Sequence, residues 1–203
     1  MTKLTRILKS KLLIAMTFVL VSCNQNYTPL SRGYFRIELH EHKYQLSDTL
    51  LPYYFEYPNY TLLQTSPHNP DQKYWVNIVY PQFRAKVYLS YKNVDDNLMT
   101  YLEDAYTLVS KHIPKADAIN DSLIYDKKRS VYGLTYKIVG SGAASPFQFF
   151  VTDSVSHFLR GALYFDIIPN NDSLEPVINF ITKDLEHMIS TLEWNNEVVK
   201  NAD

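Results

Sequence analysis

The fold is read from Tyr74-Trp-Val-Asn-Ile-Val-Tyr80, Pro81-Gln-Phe-Arg84 and Ala85-Lys-Val-Tyr-Leu-Ser-Tyr91. Tyr74, Val76, Ile78 and Tyr80 fall on one side of an extended chain. Ala85, Val87, Leu89 and Tyr91 do so again after the break at Pro81-Gln82. Alternation at a period of two marks strands with one buried face. A connection this short admits only antiparallel pairing, because a parallel pair needs a long crossover. The same rhythm recurs downstream. Tyr132, Leu134, Tyr136 and Ile138 form a strand behind the charged turn Asp126-Lys-Lys-Arg129, with a partner near residues 117–125. Phe147, Phe149 and Val151 precede the turn Asp153-Ser154, and Leu159, Gly161, Leu163, Phe165 and Ile167 close that hairpin.

Two segments change to helical spacing. Asp95, Asp96 or Asn97 is placed to cap a helix carrying Leu98, Leu102, Ala105 and Val109, ending near His112 ahead of Pro114. Leu174, Val177, Ile178, Ile181, Leu185, Met188, Ile189 and Leu192 draw an apolar stripe along a longer helix. Asp172 and Glu175 have capping-box spacing before it, and Pro176 is expected in its first turn. The pattern is therefore α+β: an antiparallel β-sheet with two main helices packed on it.

The chain has 203 residues, 46% hydrophobic and 20% charged, which describes one globular domain or at most two small ones. A single cysteine excludes an intrachain disulfide framework and a zinc site of several thiolates. Its position is informative. Lys3, Arg6, Lys9 and Lys11 precede the apolar run Leu12–Val21, too short to span a membrane and suited to a cleaved leader. Leu20-Val-Ser-Cys23 resembles a bacterial lipobox, in which the cysteine thiol takes a diacylglyceryl group and the freed amine takes a further acyl chain such as palmitate. Residues 1–22 are thus read as a lipoprotein signal peptide, 23–33 as a lipidated tether, 34–194 as a single α+β domain and 195–203 as a polar tail. Asn24 in place of aspartate favours the outer over the inner membrane, with the domain in the cell envelope outside the cytoplasm. Removing the four basic leader residues from 20 leaves 16 against 21 acidic, a net charge of −5. Nucleic acid, which calls for a basic surface, is not an expected partner.

Catalytic patterns are missing from the sequence. There is no Gly-x-Ser-x-Gly elbow, and Gly140-Ser-Gly-Ala-Ala-Ser145 lacks the lysine of a phosphate-binding loop. His40-Glu41-His42 sets two imidazoles on one side of a strand but has no third ligand at useful spacing, so no metal is expected. Asp95-Asp96 and Glu38/Glu41 read as capping and solvated acids. His187 reads as a residue at the edge of the apolar stripe. No cofactor, catalytic residue or enzyme activity is expected. The 17 tyrosines suit sheet surfaces and protein interfaces alike. On the stretch 157–166 the face opposite the core set carries His157 or Phe158 with Arg160 and Tyr164. This is either a partner-binding face or one covered by the chain's own helices.

The order of motifs resembles the gliding motility lipoprotein GldD family of the Bacteroidota. The stretches that carry the likeness begin with Gly33-Tyr-Phe-Arg-Ile-Glu-Leu39, His42-x-Tyr44, Phe55-Glu-Tyr57 and Tyr74 through Pro81. They continue with Phe147 through Ser154, His157 through Phe165 and Asn171-Asp-Ser-Leu-x-Pro-Val-Ile178. Asp184-x-x-His187 through Thr191-Leu-Glu-Trp194 closes the match. The resemblance implies a membrane-attached accessory component of gliding motility and the type IX secretion system, without assigned catalysis. Its implied partners are other gliding lipoproteins and motor or secretion components. The element order is also similar to Mog1/PsbP-type sandwiches. A periplasmic carrier or sensor lipoprotein for a small ligand is the alternative from another functional class, and a hydrolase the third.

Overall fold

The structure, a computed structural model, describes residues 38–47, 50–65, 72–195 and 198. The signal peptide, Cys23, the tether, the domain start at Tyr34 and most of the tail lie outside these residues. The described elements are β1 (Tyr44–Leu46), β2 (Tyr53–Tyr54), β3 (Glu56–Pro58), β4 (Leu62–Thr65), β5 (Val76–Tyr80) and β6 (Ala85–Asn93). They continue with α1 (Leu98–Ser110), β7 (Ala118–Asp126), β8 (Val131–Val139), β9 (Phe147–Thr152), β10 (His157–Phe165), α2 (Asn171–Thr191) and β11 (Glu193–Trp194). Among the described residues no helix is long and apolar enough to cross a membrane.

Seven strands form one antiparallel sheet in the order β4-β5-β6-β10-β9-β8-β7. The β5–β6 hairpin closes as its alternation dictates, with Tyr80 opposite Ala85 and the 3-10 turn Pro81–Phe83 between them. Val76, Ile78, Tyr80, Ala85, Val87, Leu89 and Tyr91 are all buried on one face. α2 covers that face, supplying Val177, Ile181, Leu185 and Met188 to the same core. α1 packs on the opposite face through Ala105 and Val109, against Tyr136, Ile138, Phe150 and Phe158. The architecture is α+β, as expected, with one helix on each side of the sheet.

This layering explains where period-two reading fails. β9 lies between both helices, and all six of its residues are buried. Gly161 sits opposite Phe149 on β10, and a Cβ there would run into the Phe149 ring.

Two short pairs close the N-terminal part of the described chain onto the C-terminal part. β1 pairs with β3 through Tyr44↔Pro58 and Leu46↔Glu56, and β2 pairs with β11 through Tyr53↔Trp194. α2 consequently has a second covered flank. Phe180, Thr182 and Asp184 are buried in addition to the apolar stripe, while Leu174 is only half-buried.

The start of α2 departs from the capping-box expectation. Its N-cap is Asn170, which makes no side-chain capping bond. The start is held from outside the helix, since Asn171 Nδ2 donates to the carbonyls of Gly140 and Ala143 at 2.9 Å each. Pro176 therefore falls inside the helix, where a proline costs about 3 kcal/mol. The buried stripe beyond it outweighs that, at roughly 1.5–3 kcal/mol for each large apolar side chain.

The other end of α2 is closed by the β7–β8 turn. Arg129 Nη1 donates to the carbonyls of Ile189 at 3.2 Å and Leu192 at 2.8 Å. Its Nε bonds Asp126 Oδ2 at 2.9 Å. A cation on the free carbonyls of a helix C-terminus satisfies both their lone pairs and the helix dipole. The Arg129 backbone N–H, which donates to Asp126 Oδ1 at 3.0 Å, and then the Arg129 side chain hold the Asp126 carboxyl below the usual carboxylate range.

Candidate functional site

The most concentrated polar chemistry lies where the N-terminal segment crosses α2. Asp184 is wholly buried, and four side chains converge on its carboxylate. His42 Nδ1 lies 2.6 Å from Oδ1, and Tyr44 donates to the same oxygen at 3.2 Å. Tyr60 and Tyr80 donate to Oδ2 at 2.8 and 3.3 Å. A buried carboxylate costs several kcal/mol unless paired and hydrogen-bonded, and these donors supply what water no longer can. Beside it, His187 Nε2 meets Glu56 Oε2 at 2.7 Å.

Aromatic stacking braces the group. The Tyr44 ring lies on His187 at 3.6 Å, His42 on Phe180 at 4.4 Å, and His40 on Tyr60 at 5.1 Å. Burial, the Asp184 charge with its hydrogen bond, and Glu56 push the Tyr44 phenol up to about 12. Tyr60 and Tyr80 are also raised, by burial first and by Asp184. Phenols held this firmly neutral donate hydrogen bonds and supply no base near neutral pH. The arrangement is a clasp: it fastens residues 40–44 to a helix more than a hundred positions away.

His40 and His42, which the sequence sets side by side, are separated here by their partners, one stacked on Tyr60 and the other bonded to Asp184. Among the described residues no group of three or more histidine, cysteine, aspartate or glutamate side chains is placed to hold a metal ion. Asp184 escapes a reading of the sequence that follows only apolar residues. Its signal is positional, because 177, 181, 184 and 188 share one buried face, so Asp184 is an acid inside the stripe.

The four residues read as a partner face do not share one. His157 is wholly buried and turns toward the α2 layer, with Nδ1 2.7 Å from the Tyr91 hydroxyl and its ring stacked on Trp194 at 4.9 Å. Phe158 is buried on the other side, between Phe150 and the α1 residue Tyr101. Strand parity explains both: odd positions of β10 face α2, and the first even one lies under α1. Arg160 and Tyr164 are half-buried on the outer face. Arg160 donates to Gln148 Oε1 at 2.5 Å and bonds Tyr164. Tyr164 meets Tyr88 edge-on at 5.8 Å.

Three cavities open elsewhere on the described surface. One of about 380 Å³ is lined by Lys128, Asp153, Glu193 and Trp194. Another of about 260 Å³ lies beside β4, around Leu51, Leu63 and Tyr74. The third, about 400 Å³, lies between the end of α1 and β7, around Val109, Ile113, Ile119 and Tyr136. The His42–Asp184 pair lines none of the three.

A family model described as gliding motility lipoprotein GldD matches residues 24–194. No curated protein matches the chain. Among solved structures, the chain is similar to the solution structure of cyanobacterial PsbP (CyanoP) from Synechocystis sp. PCC 6803. That likeness has 14% identity and a TM-score of 0.45, over 77% of this chain and 95% of that one.

Proposed function

The chain belongs to the gliding motility lipoprotein GldD family, and from that premise we propose that it is an accessory or assembly component of the gliding and type IX secretion machinery. In this reading it is anchored by lipid on Cys23, preferentially in the outer membrane, and works through protein–protein contacts rather than catalysis. One observation carries the reading: the family match begins at residue 24, directly behind the lipobox cysteine, and runs through the whole described fold. Two acyl chains, at about 0.8 kcal/mol for each buried methylene, hold a protein on a membrane where one chain does so only reversibly. The clasp on Asp184 suits such an anchor, since it ties the described segment that follows Cys23 most closely in the chain to the helix that closes the core.

The partners in this reading are other gliding lipoproteins and motor or secretion components. Arg160 and Tyr164, with Tyr88 beside them, are the contact residues proposed on the outer face. Arginine beside tyrosine is a composition enriched at interface centres.

Two variants test the proposal. Cys23→Ala should move the protein from the membrane fraction to the soluble fraction and reduce both gliding and secretion of type IX cargo. Unchanged membrane partitioning would sink the anchor, and unchanged gliding and secretion after release would sink the assignment to the machinery. Arg160→Glu should keep membrane association while weakening recovery of crosslinked partners. An unchanged set of crosslinked partners removes the Arg160 face from the reading.

A further inference from the structure

The sheet ends in two edges of unequal character. β4 offers four residues, whereas β7 runs for nine, each paired one-to-one with β8 without a bulge from Ala118↔Val139 to Asp126↔Val131. Natural edges are blunted by proline, charged side chains, bulges or shortness; β7 has no proline and no bulge between Ala118 and Asp126, and its only charges are Asp121 and Asp126. Leu123 and Tyr125 on it are 76% and 70% exposed.

The direction of its free backbone groups follows from the ladder. The Ile138 N–H donates to the Pro146 carbonyl, and the β8–β9 register carries that phase through Tyr136↔Gln148, Leu134↔Phe150 and Tyr132↔Thr152. Antiparallel pairs alternate residue by residue, so even-numbered residues of β8 turn their backbone toward β9 and odd-numbered ones toward β7. Through Thr135↔Ser122 and Gly133↔Ile124, β8 satisfies the even-numbered residues of β7. The N–H and C=O groups of Ile119, Asp121, Leu123 and Tyr125 point off the edge.

The α1 side of that edge is an apolar cleft of about 400 Å³ whose lining includes Tyr106, Ile113 and Ile119 together with Asp117 and Asp121. From Asp117 through Asp126 the chain carries three aspartates and no lysine or arginine.

We propose that β7 is a docking edge that accepts an extended strand of a partner protein, with basic side chains set alternately among apolar ones. The outward backbone groups give the main-chain bonds of strand addition. The partner's apolar residues fill the cleft beside Ile113 and Ile119, and its cations meet Asp117 and Asp121. A second copy of this chain is a poor occupant, because its own stretch 117–126 brings three more aspartates and no lysine or arginine to an edge that already carries the same charges. The inference stands on the ladder and the charges, and does not rest on the gliding assignment.

The test uses the full chain in detergent and a short peptide alternating lysine and valine, with a matched peptide carrying glutamate for lysine. Fluorescence anisotropy should show the basic peptide binding roughly tenfold or more tightly than the acidic one. Leu123→Pro removes an outward N–H that β8 does not use, at an edge position where proline is tolerated. It leaves net charge unchanged and should abolish binding, while Leu123→Thr, which keeps the N–H, should bind within a few-fold of the parent. Should the proline variant fail to fold, Asp121→Lys serves instead and should weaken the basic peptide and strengthen the acidic one. Equal binding of both peptides, or an unchanged affinity in Leu123→Pro and Asp121→Lys, overturns the proposal. So does a β7–β7 disulfide dimer formed readily by a Leu123→Cys variant made in a Cys23→Ala background.

Discussion

His42 and Asp184 stand 142 positions apart in the chain and 2.6 Å apart in space. The carboxylate is wholly shielded from solvent and the imidazole about two-thirds shielded, so the pair joins the first described segment to the helix that completes the core. Removing the acid would leave an imidazole and three phenols without their acceptor. Asp184→Ala should therefore lower unfolding stability by about 3 kcal/mol or more, since each buried donor left unpaired costs roughly 1–3 kcal/mol. Asp184→Asn, which keeps an acceptor oxygen, should lose less. Denaturant unfolding measures both, and a loss below about 0.5 kcal/mol in the alanine variant, the range of ordinary surface changes, would falsify the clasp.

The phenols give the clasp an alkaline limit. An unfolded tyrosine ionises near 10.0, whereas Tyr44 in the fold does so only at about 12. The folded state thus retains a proton that the unfolded state gives up, so this contribution is complete below pH 10 and is lost as pH climbs toward 12. Tyr60 and Tyr80 act in the same direction. Phenolate absorbance should rise in two stages, exposed tyrosines first and a second group together with loss of structure. A single stage at ordinary tyrosine pH with the fold intact would contradict this.

Arg129 fastens the C-terminal end of α2. Arg129→Ala frees two carbonyls at 3.2 and 2.8 Å and should cost about 2 kcal/mol, the order of a hydrogen bond to a charged group. Arg129→Lys should recover little, because an ammonium cannot span Asp126 and two carbonyls as a guanidinium fork does. Thermal melts of the two variants should fall close together; a lysine variant indistinguishable from the parent would show that charge alone suffices.

Gly161 and Phe149 form a volume pair. Gly161→Ala places a methyl against the Phe149 ring and should destabilise by about 1–3 kcal/mol through overpacking. Combined with Phe149→Leu, the alanine should cost measurably less than it does alone, a coupling that a double-mutant cycle reads directly. Strict additivity would mean the two sites relax independently.

What the sequence disclosed was local. The β5–β6 hairpin, the β9–β10 hairpin and the apolar stripe of α2 each follow from spacing within a few dozen residues, and they stand in the structure at Tyr80↔Ala85, Phe158↔Thr152 and Val177 to Leu192. What stayed hidden depends on partners far away in sequence. The start of α2 is decided by Gly140 and Ala143 rather than by an Asp172–Glu175 box. The inward turn of His157, by contrast, is legible in the odd parity it shares with Leu159, Gly161 and Leu163. The acceptor role of Asp184 is visible only once residues 42, 44, 60 and 80 are brought to it. Spacing marks Asp184 as an acid on an apolar face but says nothing of what meets it there.

The closure of early onto late segments also orders the events of maturation. β2 finds its partner only at Glu193–Trp194, and Tyr44, Tyr60 and Tyr80 find their acceptor only at Asp184. These pairings of residues 44–80 are therefore incomplete until residues 184–194 have been made. Contacts so distant in sequence form slowly. A copy interrupted ahead of residue 184 lacks both the acceptor of Tyr44, Tyr60 and Tyr80 and the strand that pairs with Tyr53.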